Sequence, residues 1–136
     1  MGTRSREGGF TMKTSSMLLG VCAALSATVL PACGQHEVSY QHEVLPILKT
    51  SCFECHTPGG VGYEKSKLDM SSYDTLMKGT QFGPVVKPGD TLTSVLVMLI
   101  ENRADVSIHM PYQRNLLPQK NIDTIKTWVA QGAKNN

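Results

Sequence analysis

The sequence predicts an all-α domain with long loops, and three observations carry that prediction. Apolar residues recur at helical spacing in short separate segments, most clearly in "NIDTIKTWVAQGA" (121–133), where Ile122, Ile125, Trp128 and Val129 share a face. No stretch alternates apolar and polar residues as a half-buried strand would, and no segment repeats. The chain has 136 residues, room for one domain and little else. Only 6% of it is aromatic, with one Trp, four Tyr and three Phe. A core so thin often relies on a disulfide, a metal or a cofactor.

The first segment reads as an address. "MLLGVCAALSATVL" (17–30) is a 14-residue apolar run that follows Met12 and Lys13. A transmembrane helix needs about 20 such residues, whereas a signal-peptide core needs about this many. The run ends in "LPACGQ", where Leu30, Ala32 and Cys33 resemble a bacterial lipobox, with Pro31 an uncommon spacer. The expected organisation is a lipoprotein-type signal peptide over 1–32, a short polar tether over 33–39 and one domain over 40–136. Cys33 is the expected lipidation site; the alternatives are cleavage near Ala32 without lipidation, which is simple secretion, and an uncleaved anchor. Met12 offers a second possible start. Three of the thirteen basic and one of the eleven acidic residues precede residue 33, which leaves ten of each and a mature net charge of zero. No basic stripe survives, so nucleic acid is not an expected partner.

The domain itself reads as follows. In "YQHEVLPILKT" (40–50), Val44, Leu45, Ile47 and Leu48 form a helical face, and Pro46 requires that helix to begin a few residues earlier. "TPGGVGYEKSK" (57–67), with one proline and three glycines, predicts a loop. "SSYDTLMKG" (71–79) has a serine start and a glycine stop, a short helix. "FGPVVKPGD" (82–90) is turn-rich, and "TSVLVMLIEN" (93–102) is an apolar helix capped by Thr93 or Ser94. "VSIHMPYQRNLLP" (106–118) is a loop between two prolines, and Gly132 suits the end of the last helix.

The chemistry concentrates in "SCFECHTPGG" (51–60). Cys22 lies in the signal segment and Cys33 at the lipobox, so the domain keeps only Cys52 and Cys55. A four-ligand zinc site would need two of His36, His42, His56 and His109 at no recognised spacing. A redox dithiol calls for a βαβ setting, which is absent from the pattern. A disulfide between residues three apart closes a tiny loop and gains little. Haem attachment accounts for every residue. Two thiols at this separation reach the two vinyl groups of one porphyrin as thioethers, and the adjoining histidine becomes the proximal iron ligand. Export suits such attachment, which takes place outside the bacterial cytoplasm. One covalent haem c on Cys52 and Cys55, with His56 proximal, is therefore expected.

With these residues in view, the chain resembles the class I monohaem cytochromes c, and among them the planctomycete-type cytochrome c domain. The resemblance spans about residues 40–133. It rests on "VLPIL" before "CFECH", on "PGD" with a following Ser94, on "HMP" and on "IDTIKTWVAQGA". CxxCH and Met-Pro are its chemically specific parts. It implies a small cytochrome c-like fold in which the first and last helices cross, loops wrap one haem, and Trp128 stands at the crossing.

The resemblance also implies a methionine from a later loop as sixth ligand. Met70, Met77, Met98 and Met110 are the candidates. Met77 and Met98 fall on apolar helix positions, where methionine fills core gaps. Met70 lies close to the cysteine motif. Met110 lies 54 residues beyond His56, in a loop stiffened by Pro111, and is the expected distal ligand, with His109 as its rival. Lys87, Arg103 and Arg114 are candidates to neutralise haem propionates, while His36 and His42 read as surface residues.

The expected function is transfer of single electrons by an exported protein to periplasmic or membrane redox partners, with the lipid as the membrane contact. No acid–base or nucleophile pair suggests an enzyme. The competing readings are a haem-based sensor with a displaceable sixth ligand, and a haem subunit of a larger redox complex. A dihaem peroxidase would need a second CxxCH, and the sequence has one.

Overall fold

The structure is a computed structural model that describes Gly34 and residues 36–136. The expected signal peptide and Cys33 lie outside the described residues. The domain is all-α: among the described residues there is no strand, only an isolated bridge between Thr80 and Gly83. None of the described helices is long and apolar enough to cross a membrane.

A π-helical turn, Tyr40–Val44, runs directly into α1, Leu45–Ser51. The Ser39 hydroxyl opens it by accepting the His42 N–H at 3.2 Å. The helical path thus begins at Tyr40, ahead of Pro46 as expected, while Pro46 itself falls in the first turn of α1, where its ring is tolerated. The wider register ahead of it, in which Val44 N–H reaches the Ser39 carbonyl, gives the ring room that an ordinary turn would deny.

Residues 57–67 depart from expectation, because Val61–Ser66 forms a helix, α2, where the glycines predicted a loop. Gly60 precedes it in an extended conformation and Gly62 lies within it. These glycines answer a packing need rather than a turn, as the site shows below. Helix α3, Tyr73–Lys78, has the anticipated ends: Ser72 and Thr75 form a reciprocal capping box, and Gly79 stops it at φ 83°.

Helix α4, Val95–Ile100, is capped in position by Ser94, but that side chain makes no bond to its own helix. Ser94 is wholly buried; its hydroxyl accepts the Lys87 N–H at 2.8 Å and donates to the Asp90 carbonyl at 2.6 Å. The serine ties the "PGD" turn onto α4. A single 3-10 turn, Val106–Ile108, interrupts the loop that follows. Helix α5, Gln119–Ala130, starts two residues ahead of the predicted segment, and Gly132 ends it at φ 98°.

The core forms where α5 crosses the Tyr40–Val44 turn and α4. Ile122, Ile125, Trp128 and Val129 are all buried there, with Tyr40, Val44, Leu48, Val97 and Ile100. Trp128 packs at the crossing with Tyr40 at 5.5 Å and Tyr73 at 6.4 Å between ring centroids. Its indole N–H donates to the Lys134 carbonyl, and the Tyr73 hydroxyl to the Ala133 carbonyl, each at 2.8 Å. Polar groups of Trp and Tyr need such partners when buried. Tyr40 Oη has none.

Candidate cofactor site

The cysteine motif continues α1 as one more turn. The Cys52 carbonyl accepts the N–H of both Cys55 (3.1 Å) and His56 (2.9 Å), which sets Cys52 and Cys55 one turn apart. The Thr57 hydroxyl closes the turn onto the Phe53 carbonyl at 2.8 Å. Both thiols are free. Burial, with Cys55 adding a smaller effect, pushes the Cys52 thiol up to about 11. A redox dithiol works through a depressed thiolate pKa, and burial does the opposite at Cys52.

Helix α2 seats the histidine. Its start docks on the motif, with Tyr63 N–H on the Cys55 carbonyl at 2.8 Å and no space at Gly60 for a side chain, whose Cβ would stand 2.5 Å from that same oxygen. Gly62 then faces the His56 ring. The imidazole is buried, and its Nδ1 is enclosed without a hydrogen-bond partner. Burial lowers the His56 pKa; the Leu68 backbone opposes this without forming a proper bond to Nδ1. A neutral ring is the form that ligates a metal.

His56 and both cysteines line a cavity of about 370 Å³. Ligand pockets run roughly from 300 to 1,000 Å³ and are mostly apolar. Here Leu68, Val85, Leu96, Leu99, Ile100 and Leu117 supply the walls. Lys65 and Arg114 are the charged residues among the lining, and no carboxylate joins them.

Met110, partly buried against the core, reaches the same cavity from the 106–118 loop. So does Met70, 3% exposed, whose N–H bonds the His56 carbonyl at 2.7 Å. Met77 and Met98 are not part of the lining. Neither is His109, whose Nδ1 lies 2.6 Å from the Val106 carbonyl. Of the three basic candidates, Lys87 bonds Thr93, while Arg103 is taken up by Glu101 and the Thr91 and Leu92 carbonyls. Arg114 lines the cavity and bonds Glu54 at 2.8 Å. His36 pairs with Glu43 on the surface, and His42 is exposed.

The donor set fits a covalently held haem: two free thiols on one turn, a buried neutral imidazole with an orphaned nitrogen, apolar walls and a thioether. Among the described residues no three His, Cys, Asp or Glu side chains gather as a metal-ion site. Sequence reasoning missed Gly60 and Gly62 as the histidine's cradle, and it missed Glu54. The signal was present, since three glycines crowd within six residues of His56, but glycine-rich composition speaks first for a turn.

Comparison with known proteins agrees with this geometry. Residues 52–111 match the family model described as Planctomycete cytochrome C, somewhat under half of the chain. The match opens on Cys52 and closes on Pro111, so the cysteine motif and Met110 both fall within it. It supports a cytochrome c-type domain, and such a domain implies haem c joined through Cys52 and Cys55. No curated protein and no solved structure matches the chain.

Proposed function

We propose that the protein is an exported one-electron carrier, with His56 as the proximal and Met110 as the distal ligand of a single haem c. The observation that carries this reading is the cavity shared by Cys52, Cys55, His56 and Met110. Bound there, haem supplies a ferric/ferrous couple. The chain's own residues then set its conditions. Cys52 and Cys55 fix the group's position, His56 offers a neutral ring nitrogen, and the Met110 thioether, a soft donor, favours the ferrous state and a raised potential. The leucine and isoleucine walls keep water away. The apolar run over 17–30 and the "LPAC" sequence support export and lipid attachment at Cys33, which would put redox partners in the periplasm or at the membrane.

The test is direct. Protein produced in a host with c-type maturation should keep the mass of one haem after denaturation, and Cys52→Ala with Cys55→Ala should lose it. A wild-type chain of bare polypeptide mass with free thiols refutes the reading. One observation favours a second reading, a ligand-binding sensor: the Met110 loop leaves Val106, Ile108, Tyr112 and Leu116 exposed. A ferric spectrum that is high-spin and lacks the weak near-infrared band of methionine ligation would select it.

A further inference from the structure

We infer that the ion pair between Glu54 and Arg114 is a latch that holds the Met110 segment over the cavity. The inference rests on the reading of Met110 as distal ligand, and it names the residues that position that ligand.

Residues 106–117 are lightly fastened. Most of their hydrogen bonds are local: Ser107 to Asp105, His109 Nδ1 to the Val106 carbonyl, and Arg114 N–H to the Pro111 carbonyl. Among the described residues, two bonds tie this segment to the rest of the fold. Met110 N–H reaches the Leu99 carbonyl on α4 at a long 3.3 Å, and Arg114 Nη2 reaches Glu54 Oε1 at 2.8 Å. Hydrophobic fastening is equally sparse, since Leu117 is the one buried side chain of the segment. A segment with few buried contacts opens readily, and each remaining tie counts for more.

The placement of this tie is informative. Glu54 stands between Cys52 and Cys55, on a turn fixed by two bonds to the Cys52 carbonyl. Arg114 follows Met110 by four residues and itself lines the cavity. The pair therefore joins the proximal motif to the distal loop across the cavity's rim, 60 residues apart in sequence. Both side chains are exposed, at 50% for Arg114 and 71% for Glu54. An exposed pair shifts an opening equilibrium only modestly and responds to salt.

The experiment uses the haem-loaded protein with Glu54→Gln, Arg114→Gln and the reversed pair Glu54→Arg/Arg114→Glu. Imidazole binding to the ferric form, followed by absorbance, should quicken about two- to fivefold in each single variant, the range expected of an exposed pair. Raised ionic strength should quicken wild type toward the variants and leave the variants unmoved, and the reversed pair should restore the slow rate. Amide exchange over 106–117, which does not depend on which atom binds iron, should rise in the single variants. Unchanged exchange and a salt-independent wild-type rate overturn the latch. A wild type without the methionine band, but with faster exchange in the variants, overturns the ligand assignment and keeps the latch.

Discussion

Gly62 lies flat against the imidazole of His56: a Cβ built on it would stand 2.7 Å from Cε1 and 2.9 Å from each ring nitrogen. Alanine normally stabilises a helical position relative to glycine. Here the added methyl must push either α2 or the ring, and overpacking of this kind costs about 1–3 kcal/mol. Gly62→Ala should therefore lower thermal stability and disturb the haem spectrum through its proximal ligand. A more stable variant with an unaltered spectrum would show that the ring has slack the geometry denies.

Two methionines share the cavity, so the distal assignment needs both tested. Met110→Ala should lose the near-infrared band, become partly high-spin, bind carbon monoxide more readily and show a lower potential. Met70→Leu should keep the band, since its backbone is held beside His56. Met98→Leu, a volume-conserving change outside the cavity, should cost under about 1.5 kcal/mol and leave the spectrum alone. Loss of the band in Met70→Leu, together with its survival in Met110→Ala, would reverse the assignment.

The two tyrosines at the helix crossing should respond oppositely to loss of their hydroxyls. Tyr73 Oη donates to the Ala133 carbonyl, so Tyr73→Phe should cost about 1 kcal/mol, the usual net worth of such a bond. Tyr40 Oη is buried without a partner, and burial raises its pKa. Tyr40→Phe should then be neutral or stabilising in chemical denaturation. An equal loss in both would mean that Tyr40 has a bonding partner.

Attachment to the membrane is a separate matter from redox chemistry. Cys33→Ser should release the protein from the membrane fraction or stall its processing, as judged by fractionation. If wild type is already wholly soluble in the periplasm, secretion without lipid replaces the lipobox reading.

Most of the fold was legible because its helices advertise themselves locally. Ser72 and Gly79 mark both ends of α3, and the spacing of Ile122, Ile125, Trp128 and Val129 gives the buried face of α5. What stayed hidden depends on distance in sequence. Helix α2 was lost because its glycines are required by a ring six residues upstream, and local composition cannot say so. Ser94 sits at the predicted cap yet bonds the Lys87–Asp90 turn, a partner choice made by tertiary packing. Cys52, Cys55 and His56 form a local pattern and were readable at once. The Glu54–Arg114 pair and the access of Met70 to the cavity emerge only when the loops are folded together.

The segments at the two ends of the domain are clasped to each other. Val38 N–H bonds Gln131 Oε1, Gln131 Nε2 bonds the His36 carbonyl, and Gln41 N–H bonds the Asn136 carbonyl. The residues that line the cavity all fall between Ser51 and Leu117, and the helical path from Tyr40 to Ser51 rises about 16 Å. Whatever the polypeptide carries before residue 36 or after residue 136 joins at that clasp. None of the clasp residues lines the cavity, so a load applied at either end of the domain meets hydrogen bonds outside the site first.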